Sequence, residues 1–307
     1  MTLESALRAD IVEVGRRMYA REYTDANAGN ISVRLGEDRL LMTPKSVCKG
    51  FMTPDMMCIT DLAGRKLQGD RDPSTEMLMH LEVYRQRPDV RAVVHAHPAT
   101  ATGFAVAGIP LDRAVLAEVL TTLGSIPIAE YATPSTAELP DAVRKYIRAH
   151  DGMLLANHGA LTVGPDVFAA YYKMETIEHF AKISLVARML GRENLITRQE
   201  VERLQGLRGS YGIASPAPIC ADGSETPGGT ADCQVVQAPS ATGTRLVADV
   251  IGDGSPRGAG RPVPDSSPQA GRTPVSGGAT RPDADAEIRL TYRELSALIE
   301  DAIRNLR

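Results

Sequence analysis

Four side chains in the 307-residue sequence have the types and spacing of a metal site: Glu76, His95, His97 and His158. His95-Ala96-His97 ends the β-branched run Ala92-Val93-Val94, and the two-residue side-chain period of a strand puts both imidazoles on one face, within reach of one ion. The same pair also reads as two polar residues at a strand end. His158 ends a second apolar run, Met153-Leu154-Leu155-Ala156, and is followed by Gly159, whose missing side chain leaves space near a ligand. Three imidazoles match the catalytic zinc pattern of three protein ligands and one open position. Glu76, at the start of a helix expected to open at Pro73, offers a carboxylate that can bind the ion at rest and swing away as a base. His80 stands four residues on and makes a competing Glu-x-x-x-His pair, with a buried helix histidine as the other reading. His150, next to Asp151, reads as a cap or a solvent-facing residue, and His179 as a structural mid-helix residue.

A second constellation could hold a phosphate. Phosphate recognition needs backbone N–H groups, hydroxyls and amides where the chain can approach closely. Gly29-Asn30 with Ser32, Lys45-Ser46 after Pro44, and Ser74-Thr75 at a helix start are three such turns. Each reads equally well as ordinary turn or capping chemistry. Ser74-Thr75 directly precedes Glu76, which would set an anion one helical turn from the metal.

These residues need elements to position them. Leu3, Leu7, Ile11, Val14 and Met18 recur at helical spacing before the Asp25–Asn30 turn. Ile31-Ser32-Val33 and Leu40-Leu41-Met42 read as a hairpin, and Cys58-Ile59-Thr60 as a further strand. Met77, Leu78, Leu81 and Tyr84 form the buried side of the helix after Pro73. A long helix runs from Asp166 to about Leu190 and stops at Gly191, and Thr197 with Glu200 forms a capping box for another. Hairpins among alternating strands and helices predict an α/β protein whose sheet is mixed or mainly antiparallel and covered by helices.

Composition narrows the classes. With 43% hydrophobic residues the chain can bury a sizeable core, whereas a formal charge of -4 disfavours a nucleic-acid partner. No run reaches the roughly 20 apolar residues of a spanning helix, so no membrane partner is expected. Met1-Thr2-Leu3-Glu4-Ser5 lacks the basic and apolar start of a secretory signal, and the expectation is a cytoplasmic protein. Cys48, Cys58, Cys220 and Cys233 show no Cys-x-x-Cys pairing, against a disulfide framework or a Cys-rich zinc site.

Taken in order and spacing, Gly29-Asn30-Ile31-Ser32, Thr43-Pro44, Pro73-Ser74-Thr75-Glu76, Val94-His95-Ala96-His97 and Asn157-His158-Gly159 resemble the class II aldolase/adducin family over about residues 3–213, nearest its fuculose-phosphate branch. The resemblance implies a three-layer α/β/α sandwich with a largely antiparallel sheet and a homotetramer with sites at subunit interfaces. It implies zinc on His95, His97 and His158, Glu76 as acid/base and resting ligand, and phosphate on Gly29, Asn30, Lys45, Ser46, Ser74 and Thr75. Lys45-Ser46 departs from the Thr-Gly of that branch. The stretch 109–127 lacks the tyrosine found there, and Tyr211 resembles the branch's second functional tyrosine. The expected reaction is cleavage of a fuculose- or rhamnulose-type ketose 1-phosphate to dihydroxyacetone phosphate and lactaldehyde. The alternatives are a 5-deoxyribulose 1-phosphate aldolase, a pentulose-phosphate 4-epimerase, and a non-catalytic adducin-like binding module. The family's epimerases carry a different residue at the Glu76 position, and its adducin branch lacks the full ligand set.

The remainder is different in kind. Residues 214–284 are rich in Pro, Gly and Ser, too poor in apolar surface to offset ordering entropy, and are expected to be a disordered linker. In 285–307, Ile288, Tyr292, Leu295, Ile299, Ala302 and Leu306 recur at steps of four and three, one apolar stripe on a helix that Thr291 and Glu294 cap. A short amphipathic helix on such a tether resembles the encapsulation peptides of bacterial microcompartment cargo, and implies shell or cargo proteins as partners. Fused to a fluorescent protein and co-expressed with shell proteins, residues 285–307 are expected to give punctate fluorescence. Diffuse fluorescence, with loss of the tetramer when the tail is deleted, would mark it as an assembly helix instead.

Overall fold

The computed structural model describes residues 2–213 together with Ala217 and Ile219. The linker and tail-helix expectations for 214–284 and 285–307 otherwise lie outside the described residues. Helix α1, Leu3–Ala20, starts where the Thr2 hydroxyl accepts from the Ser5 amide, and it buries Ile11, Val14 and Met18. The expected hairpin follows as β1, Asn30–Arg34, and β2, Arg39–Met42, and it continues into β3, Cys58–Asp61, and a short edge strand β4, Lys66–Gln68. Helix α2, Met77–Gln86, leads to β5, Ala92–Ala96. Helices α3, Ala99–Ala107, and α4, Ala117–Thr122, precede strand β6, Ile128–Ala129, and helix α5, Glu138–Ile147. The hairpin β7, Gly152–Leu155, and β8, Gly159–Gly164, then gives way to α6, Val167–Met189, and α7, Arg198–Gly206, the latter opened by the expected Thr197/Glu200 box.

The strands form one sheet in the order β4-β3-β2-β1-β5-β8-β7-β6, antiparallel throughout except for the β6–β7 pair. Residues of the strands other than exposed β4 feed two cores. Ile31, Val33, Ile59, Val94 and Leu154 pack with Ile11, Val14, Phe104, Val119 and Met174 of α1, α3, α4 and α6. Leu40, Val93, Met153, Leu155 and Leu161 pack with Leu81, Tyr84, Val143 and Tyr146 of α2 and α5. The result is the three-layer α/β/α sandwich with a mainly antiparallel centre. Among the described residues, no helix is long and apolar enough to cross a membrane.

Two local expectations are corrected. The helix expected from Pro73 begins at Met77, because Pro73 bridges Pro44, and the Lys45 and Ser74 amides bond Asp72 and Thr43 carbonyls at 3.0 and 3.2 Å, which holds 72–74 extended. His150 is neither a cap nor solvent-facing: it is 3% exposed with Nδ1 3.1 Å from the Ser125 carbonyl, and burial lowers its pKa.

Beside it, Asp151 anchors the start of the β7–β8 hairpin. Its carboxylate accepts from Arg87 at 2.9 Å and from Lys173 at 2.5 Å, tying the hairpin to the end of α2 and to α6. Asp151→Ala leaves two cations without their shared, 1%-exposed partner. A loss of about 3 kcal/mol is expected, the scale for breaking a buried pair, read as a lower urea midpoint at unchanged m-value.

Candidate metal centre

The sheet brings the histidines together from two directions. His95 points to the α2 side of β5, with Val93, and its Nδ1 donates to the Ala160 carbonyl of neighbouring β8 at 2.9 Å. That bond places the proton on Nδ1 and leaves Nε2 with a lone pair. His97 lies one residue beyond β5, its amide bonded to the Tyr23 carbonyl at 2.8 Å. His158 sits in the β7–β8 turn, where Asn157 takes the left-handed conformation at φ 56°, one that Asn tolerates better than most residues. The three rings lie 4.7–5.0 Å apart between centroids, and one ligand atom from each falls within 4.8 Å of the others.

Glu76 closes the fourth side. As the residue just before α2, it sets Oε2 3.3 Å from His95 Nε2 and Oε1 3.1 Å from His158 Nε2. Burial pushes the imidazole of His95 down to about 4 and that of His97 to about 3, so both rings stay neutral and keep the lone pair that a metal needs. Burial would raise the Glu76 carboxyl, but His95, His158 and the Asn30 amide together outweigh it and hold the group below the usual carboxylate range. Lone-pair nitrogens and carboxylate oxygens thus converge in a buried space, an arrangement that a divalent cation satisfies. Gly159 makes the convergence possible: a Cβ there would lie 2.5 Å from the Ala96 carbonyl and 2.6 Å from His97 Cδ2.

The three candidate anion turns are hydrogen-bonded to one another around Thr43. Its hydroxyl accepts from the Ile31 amide at 3.0 Å, its amide donates to the Ile31 carbonyl at 3.0 Å, and its carbonyl accepts from Ser74. Gly29 requires its own residue type, since it adopts φ +72° and an added Cβ would stand 2.9 Å from the His95 carbonyl. Asn30 and Ser74 are buried, whereas Lys45, Ser46 and Thr75 are exposed, and Lys45 is ion-paired to Asp72 at 2.8 Å.

A match to the family model of the class II aldolase and adducin N-terminal domain covers residues 9–185. The chain belongs to this family. It is 31% identical over 190 residues to a 3-oxo-tetronate 4-phosphate decarboxylase of Pectobacterium atrosepticum, covering 61% of this chain and 87% of the relative. It is 32% identical over 177 residues to an L-fuculose phosphate aldolase of Methanococcus maripaludis, covering 58% and 95%. Among solved structures, an L-fuculose 1-phosphate aldolase superposes with a TM-score of 0.62 at 29% identity, over 66% of this chain and 95% of that one. The L-fuculose-1-phosphate aldolase of Thermus thermophilus does so with a TM-score of 0.55 at 32% identity, over 62% and 98%.

Within this class II aldolase domain the other sequence candidates fall elsewhere. His80 is completely buried but is bonded to Asn30 and Ser32, so it is no competing ligand. His179 is exposed on α6. Tyr211 is 63% exposed on a 3-10 turn, Arg208–Tyr211, and no hydrogen bond joins it to the cluster.

Two positioning groups escaped sequence reasoning. Lys49, 2% exposed, donates to the Asn27 and Val47 carbonyls at 2.9 and 2.7 Å, pinning the first two anion turns together, and burial pushes its ammonium down to about 8. Glu178 accepts from the Thr100 and Ala101 amides, at 3.2 and 2.8 Å, clamping the start of α3 just past His97. Neither carries a sequence signal, because the bonds of Lys49 to Asn27 and of Glu178 to Thr100 and Ala101 go to main-chain groups of distant segments. Gly159→Ala is expected to keep the fold but lower divalent-metal affinity roughly 10–100-fold, the cost of disturbing groups that orient ligands, measured by metal-binding calorimetry.

Proposed function

We propose that the protein is a zinc-dependent aldehyde-lyase that cleaves a ketose 1-phosphate to dihydroxyacetone phosphate and an aldehyde, lactaldehyde when the ketose is 6-deoxy. The observation that carries the reading is Glu76: a buried carboxylate held against three converging imidazoles and next to the hydrogen-bonded turns at Gly29-Asn30, Lys45-Ser46 and Ser74-Thr75. His95, His97 and His158 would hold a zinc ion, which would supply positive charge to stabilise the negative charge on the ketone oxygen when the C3–C4 bond breaks. Backbone N–H groups and hydroxyls of the turns hold the phosphate and fix the ketone end. Glu76 moves the proton at C3 as general acid/base. Tyr211, exposed on its own subunit, is assigned to the aldehyde side of a neighbouring subunit's site in a homotetramer. The proposed location is the cytoplasm, inside a microcompartment, and the apolar stripe of 285–307 supports the compartment part of it.

A second reading has its own support in the decarboxylase relative. Loss of carbon dioxide from a 3-oxo-tetronate 4-phosphate leaves negative charge on the carbon next to the ketone. Protonation then yields the same dihydroxyacetone phosphate. The two readings share the site and differ in the bond broken, so the test must follow the second product.

A coupled assay for dihydroxyacetone phosphate, with aldehyde and carbon dioxide measured in parallel, is expected to give one aldehyde per triose from fuculose, rhamnulose or 5-deoxyribulose 1-phosphate. Carbon dioxide without aldehyde would establish the decarboxylase. Pentulose 5-phosphates interconverted without triose would establish the 4-epimerase. Chelator-treated protein is expected to be inactive and to recover with zinc; full activity after chelation would overturn the metal mechanism. Glu76→Gln should cost about 10²-fold or more in turnover, the usual worth of general acid–base catalysis, while phosphate binding persists.

A further inference from the structure

One cluster extends from Glu76 and Asn30 to three side chains, Ser32, His80 and Tyr84, that the proposed chemistry does not use. Asn30 and Ser32, two apart on β1, face Glu76, His80 and Tyr84, spaced four apart from the residue before α2 along the helix. Two strand residues advance about 6.8 Å and four helix residues about 6 Å, so the two rows interleave. The contacts run without a break. Tyr84 Oη lies 2.9 Å from Ser32 Oγ, which lies 2.6 Å from His80 Nδ1. His80 Nε2 lies 2.5 Å from Asn30 Oδ1, and Asn30 Nδ2 lies 2.7 Å from Glu76 Oε2. Ser32 and His80 are 0% exposed, Asn30 2% and Tyr84 3%.

The polarity of this chain follows from its end at Glu76. An ionised carboxylate only accepts, so the Asn30 amide must turn its nitrogen to Glu76 and its oxygen to His80. That oxygen also only accepts, so the proton of His80 must sit on Nε2. Nδ1 is then a bare acceptor and takes the Ser32 hydroxyl proton, and Ser32 in turn accepts from Tyr84. Each hydrogen is placed by its neighbour.

We propose that His80 is a positioning residue: as the neutral Nε2–H tautomer, its bare Nδ1 accepting from Ser32, it locks the Asn30 amide with its nitrogen on Glu76. An Asn30 amide free to flip would set its oxygen against the carboxylate. Glu76 would then lose the donor that fixes Oε2, and with it the aim of the group proposed to move the substrate proton. The kinetic part of this inference rests on the aldolase reading; the tautomer does not.

The test has two arms. In full-length protein labelled with ¹⁵N-histidine, a long-range ¹H–¹⁵N correlation spectrum is expected to show His80, assigned by its loss in His80→Gln, with Nε2 protonated and Nδ1 bare. An Nδ1–H tautomer or an imidazolium would overturn the proposal. In the zinc-loaded enzyme, His80→Met removes the donor, and kcat is expected to fall roughly 10–100-fold with KM, zinc content and unfolding midpoint near those of the parent. His80→Gln, which can still donate to Asn30, is expected to recover most of kcat. Equal losses in both variants, or an unchanged kcat in His80→Met, would overturn the role. The tautomer is read on the unsubstituted chain, and the loss of the His80 signals in either variant assigns them, so this arm stands where one of the two variants fails to fold. A protein that cleaves no ketose phosphate but shows the Nε2–H tautomer would overturn the aldolase reading and support this one.

Discussion

The approach of the β7–β8 turn to the end of β5 is the constraint on which the site depends. Gly159 lies so close to the Ala96 carbonyl that no side chain fits between them. That approach brings His158 within a ring's width of His95 and His97, which the strand alone could not do. The antiparallel β5–β8 pairing maintains it, and the same pairing supplies the Ala160 carbonyl that orients His95. One backbone contact therefore sets both the spacing of the three histidines and the protonation of one of them.

Around this centre stand three buried charged groups whose partners explain them. Lys49 ties together two turns that would otherwise be independent loops, Glu178 satisfies amides at the start of α3, and Asp151 joins two cations to the hairpin. Buried charges left unpaired are costly, so these groups act as selective clamps that favour one arrangement of loops over its neighbours. They also explain how a site made largely of turns can be rigid. The turns are hydrogen-bonded to the sheet and to one another through Thr43.

The shared architecture of aldolases and a decarboxylase is understandable on the same grounds. Both reactions, as their substrates' names describe them, must stabilise negative charge next to a ketone on a phosphorylated carbon chain. A candidate cation site beside hydrogen-bonded turns suits either. The difference must lie in what meets the bond that breaks, and this chain lacks a tyrosine in the stretch 109–127 and carries Lys45-Ser46 in its second turn.

Much of the centre was legible in the order of residues. The His95/His97 spacing on a β-branched run, the apolar run ending at His158, and the β1–β2 hairpin all depend on short-range periodicity, and periodicity is local physics. A mainly antiparallel sheet covered by helices could be inferred because hairpins imply antiparallel pairing and amphipathic helices must cover a sheet, whereas the three-layer sandwich was implied by the resemblance. Tertiary structure decided the rest. His80 and His150 share a residue type with the cluster, yet one is turned to Asn30 and the other to Ser125 by neighbours 50 and 25 residues away. The start of α2 moved from Pro73 to Met77 because a main-chain bridge to Pro44 competes with helix formation, and a bridge between distant segments leaves no local pattern. The sequence by itself determined which side chains could bind a metal; the long-range main-chain hydrogen bonds decided which of them face one another.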